Sequence, residues 1–273
     1  MDSLQNRILP WLPPIVLPIL KRFLKIGIRY ENGFDTWDSA VAASAGYDSK
    51  EIVSKVFEAS LLAKDEGLHE RDGFILDAPD FNPYTWIGIM QARIAVGNSR
   101  KMRIVDFGGS FGSTYRMMQD QLCRAKIDFE WVVIEQKHFV DLGKKHFETD
   151  GLRFEDSLSS LGNQKIDVLI FNSVLEYLED PYEIIKQAVS HSPYVVLIDR
   201  TPVNSQQMDT FSVQHVPKSI YRASYANRNF CEKNLLKPFE SSFSLLVKYE
   251  SALQPDPLNT SMGFIFLRNN ETI

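Results

Sequence analysis

The feature that most constrains the fold is an alternation of short apolar runs with helical segments after residue 101. Five runs read as β-strands, at 103–107, 131–135, 152–154, 167–171 and 194–198. Helical segments are predicted over 113–125 and 137–148, and a third from Asp180, where Pro181 and Glu183 complete a helix-start signal. Strands that alternate with helices form right-handed βαβ units, so a mostly parallel sheet with helices on both faces is expected.

The last two apolar runs break this alternation. Residues 244–249 and 263–267 are separated by a loop rich in Pro, Asn and Ser and by no helix. Two strands joined without a helix pair antiparallel. The sequence therefore predicts an α/β, Rossmann-like fold with a mostly parallel seven-stranded sheet and a C-terminal antiparallel hairpin.

The region before residue 99 has a different pattern. A helix is predicted from Asp48, with Glu51 in a capping box, and a second helix over 84–96, after a loop at 67–83. The chain thus divides into an arm (1–30), a helical N-terminal extension (31–98) and an α/β domain (99–273) with an insertion at 203–235.

The arm differs in charge from the rest of the chain. It holds five basic residues and one acidic residue, a net charge of +4, whereas the whole chain carries −5. Its apolar run at 8–20 is too short for a membrane-spanning helix and contains four prolines. Two alternatives stay open: residues 1–26 contact a membrane surface peripherally, or the arm packs on its own domain or a partner.

The overall composition limits the cellular compartments and the classes of binding partner that are expected for this chain. An isoelectric point near 5.6 argues against nucleic-acid binding. Two cysteines exclude a disulfide scaffold and a Cys-rich zinc module, and they fit a reducing compartment. We expect a cytoplasmic protein, peripheral to the inner membrane if the arm contacts lipid. The oligomeric state is left open.

A glycine-rich turn directly follows the first strand of the α/β domain. Its defining residues are Asp106, Gly108, Gly109, Ser110 and Gly112. Glycines let a backbone turn sharply and approach a ligand, and the next helix aims its free N–H groups at the same point. The dinucleotide fingerprint would need glycine at 110 and 113, where serine stands, and no P-loop motif occurs.

The turn resembles motif I of class I S-adenosylmethionine (SAM) methyltransferases, with Ser110 in place of the middle glycine. The resemblance implies SAM as cofactor. Three further elements occur in the family order: Glu135 at the end of the next strand for the ribose hydroxyls, Asp156 near the adenine amine, and a segment at 167–181 whose Asn172 and Ser173 would lie beside the methionine part. A surface acid is the alternative reading for Glu135 and for Asp156.

A closer resemblance covers roughly residues 30–268. The sequence segments that carry this resemblance are 37–40, 46–48, 70–72, 106–110, Glu135 with Gln136, 199–202, 213–217 and 220–225. Together they resemble a family of bacterial methyltransferases whose genes lie among those for surface-polysaccharide assembly. The resemblance implies a SAM-dependent methyltransferase whose catalytic domain is 99–273 and whose substrate is a small-molecule or lipid-linked saccharide.

Methylation of a sugar hydroxyl needs a group that takes the proton. The candidates on the acceptor side are Asp199 as base, Arg200 as a clamp for phosphate or carboxylate, and Glu176, His215 and Tyr221. Residues 203–235 are expected to form the acceptor lid. An internal Asp199–Arg200 pair is an alternative, as is a helix-start role for Glu176 and a structural role for His215. A non-catalytic scaffold and a nicotinamide-dependent sugar enzyme are the competing functions.

Overall fold

The structure is a computed structural model that describes residues 28–46, 50–71, 73–76, 81–97, 100–216, 223–251, 256 and 258–269. The helices are α1 (Trp37–Ala42), α2 (Lys50–Glu66), α3 (Pro83–Val96), α4 (Ser113–Arg124), α5 (Lys137–His146), α6 (Pro181–Ser190) and α7 (Glu232–Leu236). The strands are β1 (Arg29–Phe34), β2 (His69–Arg71), β3 (Phe74–Leu76), β4 (Met102–Phe107), β5 (Phe129–Ile134), β6 (Leu152–Glu155), β7 (Val168–Asn172), β8 (Val195–Asn204), β9 (Thr210–Val216), β10 (Ala223–Cys231), β11 (Phe243–Glu250) and β12 (Thr260–Arg268).

The Rossmann-like sheet predicted from the sequence is present. Strands β6, β5, β4, β7 and β8 lie side by side and pair in parallel. Strand β12 pairs antiparallel with β8 on one side and with β11 on the other, as expected for the C-terminal hairpin. The carboxyl ends of β4, β5, β7 and β8 therefore lie along one edge of the sheet.

The predicted count of seven strands is wrong, because the sheet has ten. Strand β8 continues past the end of β7, and its residues Val203 and Asn204 pair in parallel with Phe230 and Cys231 of β10. Strand β10 pairs antiparallel with β9, and β9 with β1. We call β1, β9 and β10 the outer sheet.

Two regional predictions also need correction. The extension at 31–98 is not only helical, because most of β1 and the β2–β3 pair lie in it. The insertion at 203–235, predicted as a lid, holds β9, β10 and most of α7 and is part of the sheet. Strand β1 pairs with residues about 180 positions later, and its register shifts near Gly33, so no local pattern reports it.

The core lies on both faces of the sheet. In β4, Ile104 packs in one cluster with Met118 of α4, whereas its neighbour Val105 packs in another with Ile185 of α6. Successive strand residues point to opposite faces, and both faces here are apolar, as expected for a parallel sheet covered by helices on both sides. Among the described helices, none is long and apolar enough to cross a bilayer.

Candidate functional site

The turn between β4 and α4 needs glycine for steric reasons. Gly108 and Gly112 have φ of 74° and 84°, and Gly112 is the N-cap of α4. A Cβ on Gly108 would lie 2.3 Å from Cγ2 of Val174, and one on Gly109 would lie 2.7 Å from Cγ of Asp106. Backbone packing this close is possible only without a side chain.

Ser110 takes a left-handed conformation in the same turn, with φ of 52°. Such a conformation costs a non-glycine residue roughly 1–2 kcal/mol. Its N–H donates to Oε1 of Glu135 at 3.2 Å. Its Oγ is buried and has no hydrogen-bond partner among the described residues. A strained residue with an unused hydroxyl is typical of a ligand site.

Two carboxyl groups lie beneath the turn. Asp106 is fully buried, and Nε1 of Trp131 donates to its Oδ2 at 3.3 Å. Burial raises the pKa of Asp106 to about 7. Burial also raises the pKa of Glu135 to about 7, although the N–H groups of Gln136 and Ser110 donate to its carboxylate. Both groups thus favour the protonated form more than acids in water do.

The raised pKa values predict how stability depends on pH. Between about pH 4 and about pH 7 the folded chain retains protons that the unfolded chain has lost, so the free energy of unfolding should fall as pH rises. The contribution is fully present below the unfolded pKa and lost above the folded pKa. Urea titrations across this range should give a shallower fall for Asp106→Asn. The exposed control Asp150→Asn should keep the wild-type slope, and an unchanged slope in Asp106→Asn would contradict the assignment.

Asp156 lies on the loop after β6, next to the strand end that pairs with β5. The N–H of Glu135 donates to the carbonyl of Glu155 at 3.0 Å. The Asp156 side chain is exposed, and hydroxyls of Ser160 and Ser157 donate to it, which lowers its pKa. It is therefore ionised and accessible at the edge that carries Glu135.

The end of β7 is joined to the middle of β8, where Asn172 lies opposite Asp199. The Oδ1 of Asn172 accepts a hydrogen bond from Nε of Arg200 at 2.8 Å. Ser173 has φ of 53°, its N–H donates to the carbonyl of Asp199, and its hydroxyl donates to Glu176 at 2.9 Å. The candidates Asn172, Ser173, Glu176, Asp199 and Arg200 thus form one connected group.

Asp199 is held by residues from distant parts of the chain. It is 3% exposed, its Oδ1 accepts from the Ser251 hydroxyl at 2.8 Å, and its Oδ2 accepts from Nδ2 of Asn82 at 2.5 Å. Asn82 is also the N-cap of α3, where its Oδ1 accepts from the N–H of Tyr84. Both carboxylate oxygens are therefore occupied by protein donors, an arrangement that positions three elements.

A cavity of about 220 Å³ opens beside this group. It lies between the start of α3, helix α4 and the ends of β7, β8 and β11. Its wall combines polar, aromatic and sulfur-containing side chains with two arginines. The lining residues are Arg71, Phe81, Asn82, Pro83, Tyr84, Thr85, Thr114, Met117, Met118, Asn172, Asp199, Arg200, Tyr249, Glu250 and Ser251.

A second polar group links the outer sheet to the end of β7. The Oε1 of Gln214 accepts hydrogen bonds from the hydroxyls of Tyr30 at 3.1 Å and Tyr177 at 2.8 Å. Burial raises the pKa of Tyr30, and the charges of Glu176 and Asp256 raise it further. The outer sheet thus presents a buried polar face to Glu176.

His215 lies apart from the cavity. Nε2 of His215 lies 3.0 Å from Oε2 of Glu31. Alternate residues of a strand face opposite sides, so His215 points away from the face that carries Gln214. Tyr221 lies outside the described residues.

Sequence reasoning missed several residues of the site. Asn82, Thr114, Tyr249 and Ser251 line the cavity with the predicted residues. The Asn82–Pro83 pair is a helix-start signal, but it does not reveal that the same amide reaches Asp199. These contacts join residues more than 50 positions apart, so no local pattern could have found them.

Sequence comparison assigns no family to this chain. No protein-family model matches it, and no curated protein matches it in sequence. The resemblance to methyltransferases of surface-polysaccharide gene clusters therefore stays a prediction.

The fold is similar to solved structures at low sequence identity. A 1,6-didemethyltoxoflavin N1-methyltransferase from Burkholderia thailandensis, with S-adenosylhomocysteine (SAH) bound, is 14% identical, with 71% of this chain and 94% of that chain covered and a TM-score of 0.40. The glycopeptide N-methyltransferase MtfA with SAM is 9% identical, with 67% and 94% covered and a TM-score of 0.43. LepI with SAM is 12% identical, with 80% and 65% covered and a TM-score of 0.43. These three were solved with SAM or SAH, and similarity at this level assigns no activity to this chain.

Proposed function

We propose that this chain is a SAM-dependent methyltransferase. The observation that carries the proposal is the left-handed turn at 108–112, whose Ser110 N–H is bound by the carboxylate of Glu135. At this turn, glycine backbone, the Ser110 hydroxyl, which has no described hydrogen-bond partner, and the Glu135 carboxylate lie together at the carboxyl ends of the parallel strands. Doubly wound sheets bind nucleosides at this edge.

The residues present fit this cofactor. Above its pKa of about 7, Glu135 is an ionised carboxylate with about four acceptor positions; it uses two of them for backbone N–H groups, so two are left for ribose hydroxyls. Asp156 would accept from the adenine amine, and Asn172 and Ser173 would lie beside the methionine part. When bound, SAM supplies a methyl group on a positively charged sulfur.

Replacing Glu135 by glutamine tests this assignment. We expect the dissociation constant for SAH to rise by about 10- to 100-fold, because a hydrogen bond to a charged group contributes roughly 1.5–3 kcal/mol. Isothermal titration calorimetry measures the change, with the exposed Glu148→Gln as control. Equal affinity in wild type and Glu135→Gln would remove Glu135 from the site.

For the acceptor we propose a hydroxyl of a saccharide or lipid-linked saccharide. In the transfer, the acceptor oxygen forms a bond to the methyl carbon, the carbon–sulfur bond breaks, and the hydroxyl proton passes to a base. We propose Glu176, which is 2% exposed and accepts from Ser173 after β7, as this base; Asp199, which lines the cavity and accepts from Ser251 and Asn82, is the alternative. Mass spectrometry of saccharides from cells with and without the protein should detect a 14 Da difference per methyl group; identical masses would argue against this acceptor.

A non-catalytic scaffold is the second candidate function. It is favoured by the two protein donors on Asp199, which give that residue a structural role. A scaffold would keep its cellular function in the Glu176→Gln variant, whereas a methyltransferase that uses this base would lose it. Complementation of a deletion strain by the variant separates the two.

The arm is proposed to contact a membrane surface. Its basic and apolar residues are the composition of interfacial segments, and they lie almost wholly outside the described residues. Deleting residues 1–26 should move the protein from the membrane fraction to the soluble fraction on centrifugation. An unchanged distribution would favour packing of the arm on protein.

A further inference from the structure

Arg200 is held rigidly at the wall of the cavity. Its backbone has φ of 51°, a conformation that costs a non-glycine residue roughly 1–2 kcal/mol. Its N–H donates to the Ser251 hydroxyl at 3.1 Å, and its Nε donates to Asn172 at 2.8 Å. Strain of this kind persists where the surroundings fix a residue for a function.

Arg200 lines the cavity, and its positive charge interacts electrostatically with the buried carboxyl group of Asp106. Among the described residues, no hydrogen bond or ion pair is found for its two terminal nitrogens. No hydrogen bond or ion pair among the described residues joins them to Asp199, whose oxygens accept from Ser251 and Asn82. Arg71 lines the same cavity and adds a second positive charge.

We propose that this cavity binds an oxyanion, a phosphate or carboxylate group of the methyl acceptor, through the terminal nitrogens of Arg200. The inference rests on the proposed function, since it names the class of acceptor for that site. A guanidinium binds such groups by two parallel hydrogen bonds, and a pre-oriented side chain loses little freedom on binding.

The position of the cavity favours the acceptor over the carboxylate of SAM. Glu135 follows β5, whereas Arg200 belongs to β8, and two strands, β4 and β7, lie between them. Neighbouring strands lie about 4.8 Å apart, so the three spacings from β5 to β8 separate these two residues by about 14 Å across the sheet. The cavity also extends further, to Tyr249 and Ser251 at the end of β11.

The first test compares two probes that differ only in a phosphate group. Calorimetry of the full chain saturated with SAH should show glucose 6-phosphate binding at least about tenfold more tightly than glucose, as expected for one charge-assisted pair. Inorganic phosphate should compete with glucose 6-phosphate. Equal affinities, or no binding of either at millimolar concentration, would overturn the proposal.

The second test removes the positive charge. Arg200→Gln should reduce the preference for glucose 6-phosphate over glucose to less than about threefold. Arg200→Lys should retain part of the preference, because lysine keeps the positive charge but lacks the two parallel N–H donors of a guanidinium. Arg153→Gln, an equal charge change at an exposed arginine, should leave the preference intact. An unchanged preference in Arg200→Gln would contradict the proposal.

SAH alone separates this inference from the proposed function. SAH should bind Arg200→Gln no more weakly than it binds Asn172→Ala, which loses the same Arg200–Asn172 hydrogen bond but keeps the positive charge. If Arg200→Gln weakens SAH more than Asn172→Ala does and leaves 5′-methylthioadenosine, which lacks the amino-acid part, unaffected, Arg200 binds the cofactor carboxylate and the acceptor assignment is wrong. If SAH fails to bind while the phosphate preference holds, the methyltransferase proposal fails and the oxyanion site stands.

Discussion

Replacing Gly108 by alanine is expected to lower the free energy of unfolding by about 2–5 kcal/mol and to abolish SAH binding. Its φ of 74° disfavours any side chain, and the new Cβ would lie 2.3 Å from Cγ2 and 2.8 Å from Cβ of Val174. Valine is stiff, and Val174 lies two residues after the end of β7, so it cannot turn aside without moving that turn.

Gly162→Ala is the matched control for this prediction. Gly162 also has a positive φ, of 55°, but no atom lies within 4 Å of an added Cβ. It should cost only the backbone strain, roughly 1–2 kcal/mol, and leave SAH binding unchanged. Urea unfolding and calorimetry measure both variants. Equal destabilisation by the two substitutions would show that the contact with Val174 contributes nothing.

Gly263→Ala is expected to disrupt the cavity from the far side of its wall. Gly263 lies opposite Tyr249 in the β11–β12 pair, and an added Cβ would lie 2.0 Å from Cζ of that ring. The ring is stacked on Tyr84 at 3.5 Å between centroids, so it has no room to retreat. Overpacking of this kind typically costs about 1–3 kcal/mol.

A double-mutant cycle with Tyr249→Ala checks that the ring is the cause. In the Tyr249→Ala background, Gly263→Ala should have little further effect, which gives a coupling energy of about 1–3 kcal/mol. Additive losses in the double variant would mean that the strain arises elsewhere. The glucose 6-phosphate preference should fall in Gly263→Ala, because Tyr249 lines the cavity.

The central sheet could be predicted because its signal is local. Strands such as β4 and β7 are apolar on both faces, and the turns and helices between them have their own sequence signals. The cofactor edge follows from the same local order: Gly108, Glu135 and Asn172 each stand directly at a strand end. In a parallel sheet the carboxyl ends of the strands lie along one edge. Residues that directly follow different strands in the sequence are therefore close together in the structure.

The outer sheet could not be predicted in the same way. Strands β9 and β10 bury the polar residues Ser212, Gln214, Asn227 and Asn229, so the apolar alternation that reveals a half-buried strand is missing. These side chains are stabilised by hydrogen bonds to one another and to Tyr177, contacts that exist only after folding. The role of Asp199 was hidden for the same reason, since Asn82 and Ser251 are remote in sequence.

The most direct test of the central claim is a calorimetric titration of the folded wild-type chain with SAH. The account predicts saturable binding of one molecule per chain, weakened in Glu135→Gln and lost in Gly108→Ala. Absence of binding at millimolar SAH, in protein whose cooperative unfolding confirms that it is folded, would contradict the account, as would binding of NADH in its place.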